Sequence, residues 1–208
     1  MLEFKSNEAT LFPTPFWMVQ IKGVDNESLK EYCYSIKENS DGVEKSNKGG
    51  WHSHPYEIIE PYPEAFIELI EDTTKFVNQY CSQLTGIDNL GLGNFWFNVN
   101  PKNTYNHLHD HQGALLSAVY YIQCEGDDPG NFEICRGDSA EYFMKAADYG
   151  DRETPWFLFP NYIIKPLTNY LFILPSWVKH SVGINNTDSD RISLAMNFAS
   201  LAPFPKNE

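Results

Sequence analysis

The sequence predicts a mainly β protein of the α+β class, either an antiparallel sandwich or a closed barrel, with two helices packed outside it. Three observations lead to this prediction. Phe, Tyr and Trp make up 15% of the 208 residues, and aromatic side chains favour strands and large pockets. Two helical patterns occupy the first part of the chain. From Asn94 onward the apolar residues alternate with a period of two, as short strands do.

The first third of the chain predicts one strand and two amphipathic helices. The strand follows a proline-containing stretch and ends near Lys22. The first helix begins at Asp25 or Asn26 and ends near Lys37, with its apolar residues on one face. A polar segment over 39–50 predicts an exposed loop. The second helix covers 63–84, with a proline in its first turn and a glycine directly after its end.

The remainder of the chain predicts short strands joined by turns, with no helices between them. The predicted strands are 95–100, 114–124, 131–135, 156–159, 162–165, 169–174, 180–184 and 191–198. This pattern is typical of a jelly roll or barrel. Residues 137–154 form a long acidic insertion between two of these strands, and we expect a lid or a loop near a binding site.

Charge and cysteine usage exclude several classes of partner. The chain has 28 acidic and 15 basic residues, a formal net charge of −13. This excess disfavours nucleic acid and anionic membrane surfaces, since both attract Lys and Arg. The four cysteines show no CxxC spacing, and the polar N-terminus does not resemble a signal peptide. We therefore expect reduced thiols in a cytoplasmic protein, with a Cys124–Cys135 bridge as the less favoured alternative.

A cluster of histidines lies in the segment that includes His107, His109 and His111. On an extended chain, residues i and i+2 lie on the same face about 6.5–7 Å apart, so His109 and His111 can reach one ion. Neutral imidazole suits Fe, Zn, Cu or Ni, although a stable site needs a third ligand. The alternative is a solvated histidine-rich turn. For the second H-x-H motif, His52 and His54 beside a glycine pair, we favour that structural interpretation.

A candidate third ligand and a candidate carboxylate-binding group follow later in the chain, although a single histidine at such a position is more often structural. His180 comes directly after an apolar strand that ends in Pro-Ser-Trp. In the last predicted strand, alternate positions place Arg191, Ser193, Ala195 and Asn197 on one face. An arginine and a serine two residues apart can clamp a carboxylate, unless the arginine instead pairs with an acid at the strand edge. Together these residues predict a metal beside a carboxylate-binding pocket.

These motifs resemble the iron(II)- and 2-oxoglutarate-dependent oxygenases, and in particular the small oxygenases of this class from marine bacteria and phages. The resemblance covers nearly the whole chain, and its blocks appear in the family's order and spacing. The most specific blocks are Leu-Pro-Ser-Trp-Val-Lys-His and Arg-Ile-Ser-Leu-Ala-Met-Asn-Phe. The matching stretches are 11–17, 96–101, 109–111, 116–122, 164–166, 174–182 and 191–198.

The resemblance implies a double-stranded β-helix, the cupin-like jelly roll, as a single domain over 1–208. Residues 1–93 would supply a strand and two helices that pack on a jelly-roll core over 94–200. The cofactors implied are Fe(II) and 2-oxoglutarate, with no catalytic residue beyond the metal centre. The metal ligands would be His109, His111 and His180, and the residues around 2-oxoglutarate would be Arg191, Ser193, Tyr121, Asn98 and Asn197. Arg136 matches a family position near the entrance to the site.

The sequence departs from the family pattern at three places. The usual triad is two histidines and one carboxylate, but here His111 stands at the second strand position. Asp110 is adjacent but points to the opposite face of a strand, and His107 would replace His111 if the register shifted by two. Asn103 occupies a position that is usually glycine, and it tolerates the same backbone angles. Thr-Asn at 168–169 replaces the usual Gly-Asp.

The function implied is hydroxylation of an unidentified substrate, coupled to oxidative decarboxylation of 2-oxoglutarate to succinate and CO2. Two alternatives remain: a cupin-like three-histidine metal protein that does not use 2-oxoglutarate, and a non-catalytic jelly-roll binding module. We expect the loops over 39–62 and 137–155 to contact a small-molecule or peptide substrate. We expect no nucleic acid and no membrane partner, and we leave a homodimer open.

Overall fold

The structure is a computed structural model that describes residues 13–86, 89–137, 159 and 161–201. Most of the predicted strand at 156–159 and nearly all of the predicted lid at 137–154 lie outside these described residues. Within the described part, two antiparallel sheets and two main helices account for the regular structure.

Eleven strands form the two sheets. Their bounds are β1 Trp17–Gln20, β2 Asn47–Lys48, β3 Trp51–His52, β4 Leu90–Asn100, β5 Tyr105–His109, β6 Leu116–Gln123, β7 Phe132–Cys135, β8 Asn161–Ile164, β9 Tyr170–Pro175, β10 His180–Val182 and β11 Arg191–Ser200. The six-stranded sheet has the order β1-β9-β6-β11-β4-β3, and the five-stranded sheet has the order β2-β5-β10-β7-β8. Aromatic contacts join the two sheets, since Phe132 of β7 lies with its ring 5.4 Å from that of Phe172 of β9.

Both predicted helices are present. Helix α1, Asn26–Glu38, begins at Asp25, whose side chain accepts a hydrogen bond from the Ser28 amide at 3.1 Å. Helix α2, Glu64–Phe76, continues through a π-helical turn, Val77–Cys81, into a short α3, Ser82–Thr85. The prediction of one continuous helix is therefore correct in extent but misses the π-helical turn. Gly86 ends this helical segment with a φ of +67°, a conformation that glycine adopts without strain.

The six-stranded sheet is buried on both faces. Phe97 and Val99 of β4, and Leu194 and Met196 of β11, point toward the helices and are fully buried with Ile36 of α1. Each such side chain contributes roughly 1.5–3 kcal/mol of transfer free energy. The intervening residues of the same strands therefore point into the space between the two sheets. As predicted, this places the alternate residues of β11 that begin at Arg191 on one interior face.

Two segments differ from the prediction. The polar segment 39–50 is not an exposed loop throughout, because it contains β2, which pairs with β5. Asn47 of β2 is only 4% exposed and lies opposite Asn106. Strand β5 itself was not predicted, since its sequence, YNHLH, has no apolar alternation. Both short strands depend on pairing between distant parts of the chain.

Two further predictions concern cysteines and membranes. All four cysteines are free thiols, which confirms the prediction of reduced cysteines, and the Cys124–Cys135 bridge is absent. Burial raises the pKa of the Cys124 thiol to about 12, so it stays protonated at neutral pH. Among the described residues, no helix is long and apolar enough to cross a membrane.

Candidate metal centre

Three histidines from two neighbouring segments converge at one end of the interior space. His109 is the last residue of β5 and lies opposite His180, the first residue of β10. His111 follows β5, and its backbone amide donates to the Ser176 carbonyl at 2.9 Å. One nitrogen atom from each of the three rings lies within 4.8 Å of the other two. In the part of the chain that the structure describes, this is the only such group of potential metal ligands.

Hydrogen bonds fix the orientation of all three rings. His109 donates from Nδ1 to the His107 carbonyl at 2.7 Å, and His180 donates from Nδ1 to the Val178 carbonyl at 3.0 Å. A carbonyl oxygen only accepts, so each Nδ1 must carry the hydrogen, and the lone pair is on Nε2. Nδ1 of His111 lies 2.8 Å from both the Asn197 side-chain oxygen and the Ser117 hydroxyl oxygen. Because the Ser117 hydroxyl gives its hydrogen to Asn197, Nδ1 of His111 is again the donor, and the tautomer is the same. In each of the three rings, Nε2 is therefore the nitrogen with a lone pair that can bind a metal.

Burial keeps these imidazoles neutral. Desolvation, followed by the nearby His109 ring, lowers the pKa of His111 to about 4 and that of His180 to about 3. Desolvation also lowers the pKa of His109. Neutral imidazole is the form that binds a metal, so the site is ready for a cation at neutral pH.

Aromatic rings enclose the centre. Phe132 stacks on His180 with ring centroids 5.2 Å apart, and Trp96 meets His111 edge-on at 5.3 Å. Trp96 also stacks on His52, a residue that is 6% exposed and outside the three-histidine group. His52 is therefore a buried structural residue and not part of a solvated turn. These rings hold the imidazoles in place and exclude water from one side.

The two residues considered as alternative ligands lie outside the cluster. The His107 side chain is exposed, with its ring against Tyr105. Asp110 is half-buried and lies between His109 and His111 in the sequence. Its charge raises the pKa values of both histidines, but desolvation lowers these pKa values by more. Among the described residues, no carboxylate joins the three imidazoles.

A buried arginine lies at the other end of the same cleft. Arg191 is 3% exposed, and its Nη1 donates to the carbonyls of Pro129 at 2.6 Å and Gly183 at 3.0 Å. Its Nη2 has no partner among the described residues. Gly183 is three residues beyond His180, so roughly 10 Å of extended chain separates the guanidinium end from the imidazole end.

Further polar atoms around Arg191 are buried and have no partner in the described structure. They are the Tyr121 hydroxyl, the Asn98 side-chain oxygen and the Asn100 side-chain nitrogen. Ser193 lines the same cleft, with its hydroxyl 3.5 Å from the Asn98 amide nitrogen. Burial raises the pKa of the Tyr121 hydroxyl, so it is a neutral donor at physiological pH. Buried polar atoms are normally satisfied, so this group indicates a polar ligand.

The residues present fit the two cofactors that the resemblance implies. The three neutral imidazoles suit a divalent transition metal, and iron is among the metals that imidazole binds well. The described residues that line the cleft include one cation, Arg191, and no carboxylate, which suits an anionic ligand. The donors at its far end and the imidazoles at its near end suit a dicarboxylate that also reaches the metal.

Asn197 was expected to lie beside 2-oxoglutarate, but its side chain lies next to His111 instead. It does not line the cleft, and its side-chain oxygen instead contacts His111 and accepts from the Ser117 hydroxyl at 2.7 Å. Its amide nitrogen donates to the Asn94 side-chain oxygen at 2.9 Å. Ser117 and Asn100 belong to the site but were not predicted from the sequence. Strand alternation could have found both, because Ser117 precedes Tyr121 on the same face of β6 and Asn100 follows Asn98 on the same face of β4.

The sequence of the chain matches the profile of one known protein family. The sequence profile of the family described as "Putative 2OG-Fe(II) oxygenase" matches residues 94–197, half of the chain. This region holds the three histidines and Arg191. No curated protein sequence matches the chain.

Solved structures share the fold at low sequence identity. A prolyl-4-hydroxylase from Pseudomonas putida is 15% identical, with a TM-score of 0.63, and the alignment covers 91% of this chain and 94% of that one. A viral collagen prolyl hydroxylase from Paramecium Bursaria Chlorella virus-1, solved with 2-oxoglutarate, is 11% identical, with a TM-score of 0.57 and coverages of 89% and 96%. HygX from Streptomyces hygroscopicus, with nickel and 2-oxoglutarate bound, is 14% identical, with a TM-score of 0.56 and coverages of 90% and 84%.

The solved structures confirm the predicted double-stranded β-helix, and the family match confirms the predicted pair of cofactors, Fe(II) and 2-oxoglutarate. The finer resemblance, to oxygenases of marine bacteria and phages, stays a prediction. The chain belongs to the 2OG-Fe(II) oxygenase family.

Proposed function

We propose that the chain is an Fe(II)- and 2-oxoglutarate-dependent dioxygenase in which His109, His111 and His180 hold the iron. The observation that carries this proposal is the arrangement of the three rings, each with Nδ1 committed to a protein acceptor and with one nitrogen within 4.8 Å of the others. When bound, iron and 2-oxoglutarate supply the oxidation: O2 and 2-oxoglutarate are consumed, succinate and CO2 are released, and a substrate C–H becomes C–OH.

In this proposal Arg191 binds the far carboxylate of 2-oxoglutarate. Nη1 is held by two backbone carbonyls, so the guanidinium cannot rotate away, and the free Nη2 is left for the ligand. The Tyr121 and Ser193 hydroxyls and the Asn98 amide add neutral contacts along the same wall. Hydrogen bonds from a fixed cation are stronger than those from neutral donors, so Arg191 determines most of the selectivity for a dicarboxylate.

Asn197 is proposed as a positioning residue for the metal centre. By accepting from Nδ1 of His111, it keeps the Nε2 lone pair directed at the metal. The Ser117 hydroxyl, which contacts both Asn197 and Ser176, holds the amide in turn. Phe132 and Leu174 line the cleft with apolar surface and keep water away from the imidazoles.

The proposed unit is the whole chain, with the jelly-roll core over 94–200 and the N-terminal segment over 1–93 packed on it. Leu29 and Ile36 of α1 and Phe66 of α2 belong to the same buried cluster as the strands of the six-stranded sheet. Separating the two parts would expose this cluster. The four free cysteines and the net charge of −13 support a cytoplasmic location and a small-molecule or peptide substrate.

The test is an anaerobic titration of the purified protein with Fe(II) and then with 2-oxoglutarate. We expect one iron per chain and a visible charge-transfer band that appears only when both are present. If iron is bound but no band develops, the proposal is wrong. That result would favour a cupin-like three-histidine protein that does not use 2-oxoglutarate, to which the lack of a carboxylate among the described ligands also points.

A further inference from the structure

A serine from the N-terminal part of the chain lies beside the proposed metal centre. Ser46 directly precedes β2, and its carbonyl accepts from the His107 amide at 3.0 Å, which extends the β2–β5 ladder by one step. This pairing brings the Ser46 hydroxyl to 3.4 Å from Nε2 of His109. Ser46 lines the same cleft as the three histidines.

The hydrogen of this hydroxyl needs an acceptor. Asn106 donates from its side-chain nitrogen to Ser46 Oγ at 3.3 Å, which occupies one lone pair and leaves the Ser46 hydrogen to be given elsewhere. Among the described residues, the remaining partner of this hydroxyl is Nε2 of His109. That nitrogen has its lone pair free because its Nδ1 carries the ring hydrogen. The contact is therefore available only while the lone pair is not used by a metal.

We propose that the Ser46 hydroxyl, oriented by Asn106, donates a hydrogen bond to an acceptor atom of a ligand bound to the metal beside His109. This rests on the proposed function, since a metal must take the lone pair of His109. Once it does, the hydroxyl is left without its acceptor but remains directed toward the metal. An unsatisfied donor in an enclosed cleft is costly, and an anionic or electron-rich ligand atom at the metal satisfies it.

Hydrogen bonds of the neighbouring Asn47 side chain hold the segment that carries Ser46 in place. The Asn47 side chain is 4% exposed, donates to the carbonyls of Val43 at 3.3 Å and Gly50 at 2.9 Å, and accepts from the Lys45 amide at 2.7 Å. These three hydrogen bonds fix the backbone before and after Ser46. The hydroxyl is therefore a fixed part of the wall and needs little ordering when a ligand arrives.

The experiment compares the full-length wild-type protein with Ser46→Ala and Ser46→Thr under anaerobic conditions. The control is Ser189→Ala, which removes an exposed hydroxyl bonded to Glu125. Iron content is measured first. Two probes then report on acceptors at the metal: 2-oxoglutarate, followed by its charge-transfer band, and nitric oxide, followed by the electron paramagnetic resonance spectrum of the complex. Circular dichroism checks that each variant is folded.

We expect Ser46→Ala to bind iron normally but to bind one of the two probes about fivefold to tenfold more weakly, the effect of one lost hydrogen bond. Weaker 2-oxoglutarate binding would identify the cosubstrate carboxylate as the acceptor, and weaker nitric oxide binding with an altered spectrum would identify the neighbouring open position. Ser46→Thr should retain most of the wild-type affinity.

The proposal is overturned if Ser46→Ala binds both probes within twofold of wild type, or if Ser46→Thr is as weak as Ser46→Ala. Failure of the proposed function itself gives a different result. In that case the wild-type protein would bind no iron, or would bind iron without forming the 2-oxoglutarate band.

Discussion

Gly130 controls the position of the arginine that we assign to 2-oxoglutarate. It has a φ of +84°, and a Cβ added to it would lie 2.2 Å from the Gly183 carbonyl oxygen and 2.4 Å from Nη1 of Arg191. Both distances are far below normal contact. In Gly130→Ala, the carbonyl or the guanidinium must therefore move by about 1 Å, and the 3.0 Å bond between them is lost.

Two effects lower the free energy of unfolding of Gly130→Ala. An alanine at a left-handed φ costs roughly 1–2 kcal/mol. A lost hydrogen bond to a charged group costs about 1.5–3 kcal/mol more. We expect the free energy of unfolding to fall by about 2.5–5 kcal/mol and the affinity for 2-oxoglutarate to fall at least tenfold. Iron binding should persist, because the histidines lie at the other end of the cleft.

Gly23→Ala is the matched control. Gly23 has a φ of +86°, and its added Cβ would have no atom within 4 Å. It therefore carries the backbone cost without the clash, and we expect a loss of about 1–2 kcal/mol with unchanged ligand affinity. Urea unfolding gives the stabilities, and the charge-transfer titration gives the affinities. Equal 2-oxoglutarate affinities for Gly130→Ala and Gly23→Ala would refute the role of Arg191.

Three further predictions concern the histidines. His180→Ala should lose stoichiometric iron binding, whereas His107→Ala should keep it, as metal analysis after anaerobic loading would show; equal iron contents would contradict the ligand assignment. Asn197→Leu removes one of the two acceptors near Nδ1 of His111 and leaves the Ser117 hydroxyl, so we expect iron affinity to fall about tenfold, measured by competition with a chelator. The metal-free protein should lose stability as the pH falls below about 6.5. The pKa values of His111 and His180 in the folded protein are lowered to about 4 and about 3, so the unfolded chain binds protons at a higher pH than the folded chain does. The slope should reach about 1.4 kcal/mol per pH unit for each histidine in urea unfolding, and a flat profile between pH 6.5 and 4.5 would contradict it.

Residues on long, strongly patterned strands could be placed from the sequence. The alternation in β11 predicts that Arg191 and Ser193 share a face, and the structure has Ile192 and Leu194 on the other face, against the helices. Helix α1 could be placed because its capping residue and apolar face are local features. Local patterns are sufficient where one face must be buried, since a shift of one residue would expose it.

Features that depend on distant pairing could not be predicted. Ser46 reaches His109 only because β2 pairs with β5, and neither strand has a local sequence signal. The contact between Asn197 and His111 could not be predicted for a related reason. Its face of the strand was correctly predicted, but its neighbour on that face, His111, comes from a turn whose path the sequence does not reveal.

A crystal structure of the protein, grown anaerobically with Fe(II) and 2-oxoglutarate, would show directly whether the three histidines and Arg191 bind the two cofactors. We expect one metal bound by Nε2 of His109, His111 and His180, with the far carboxylate of 2-oxoglutarate within hydrogen-bond distance of Nη2 of Arg191. A metal bound elsewhere, a carboxylate of the chain in place of one histidine, or 2-oxoglutarate without contact to Arg191 would contradict it.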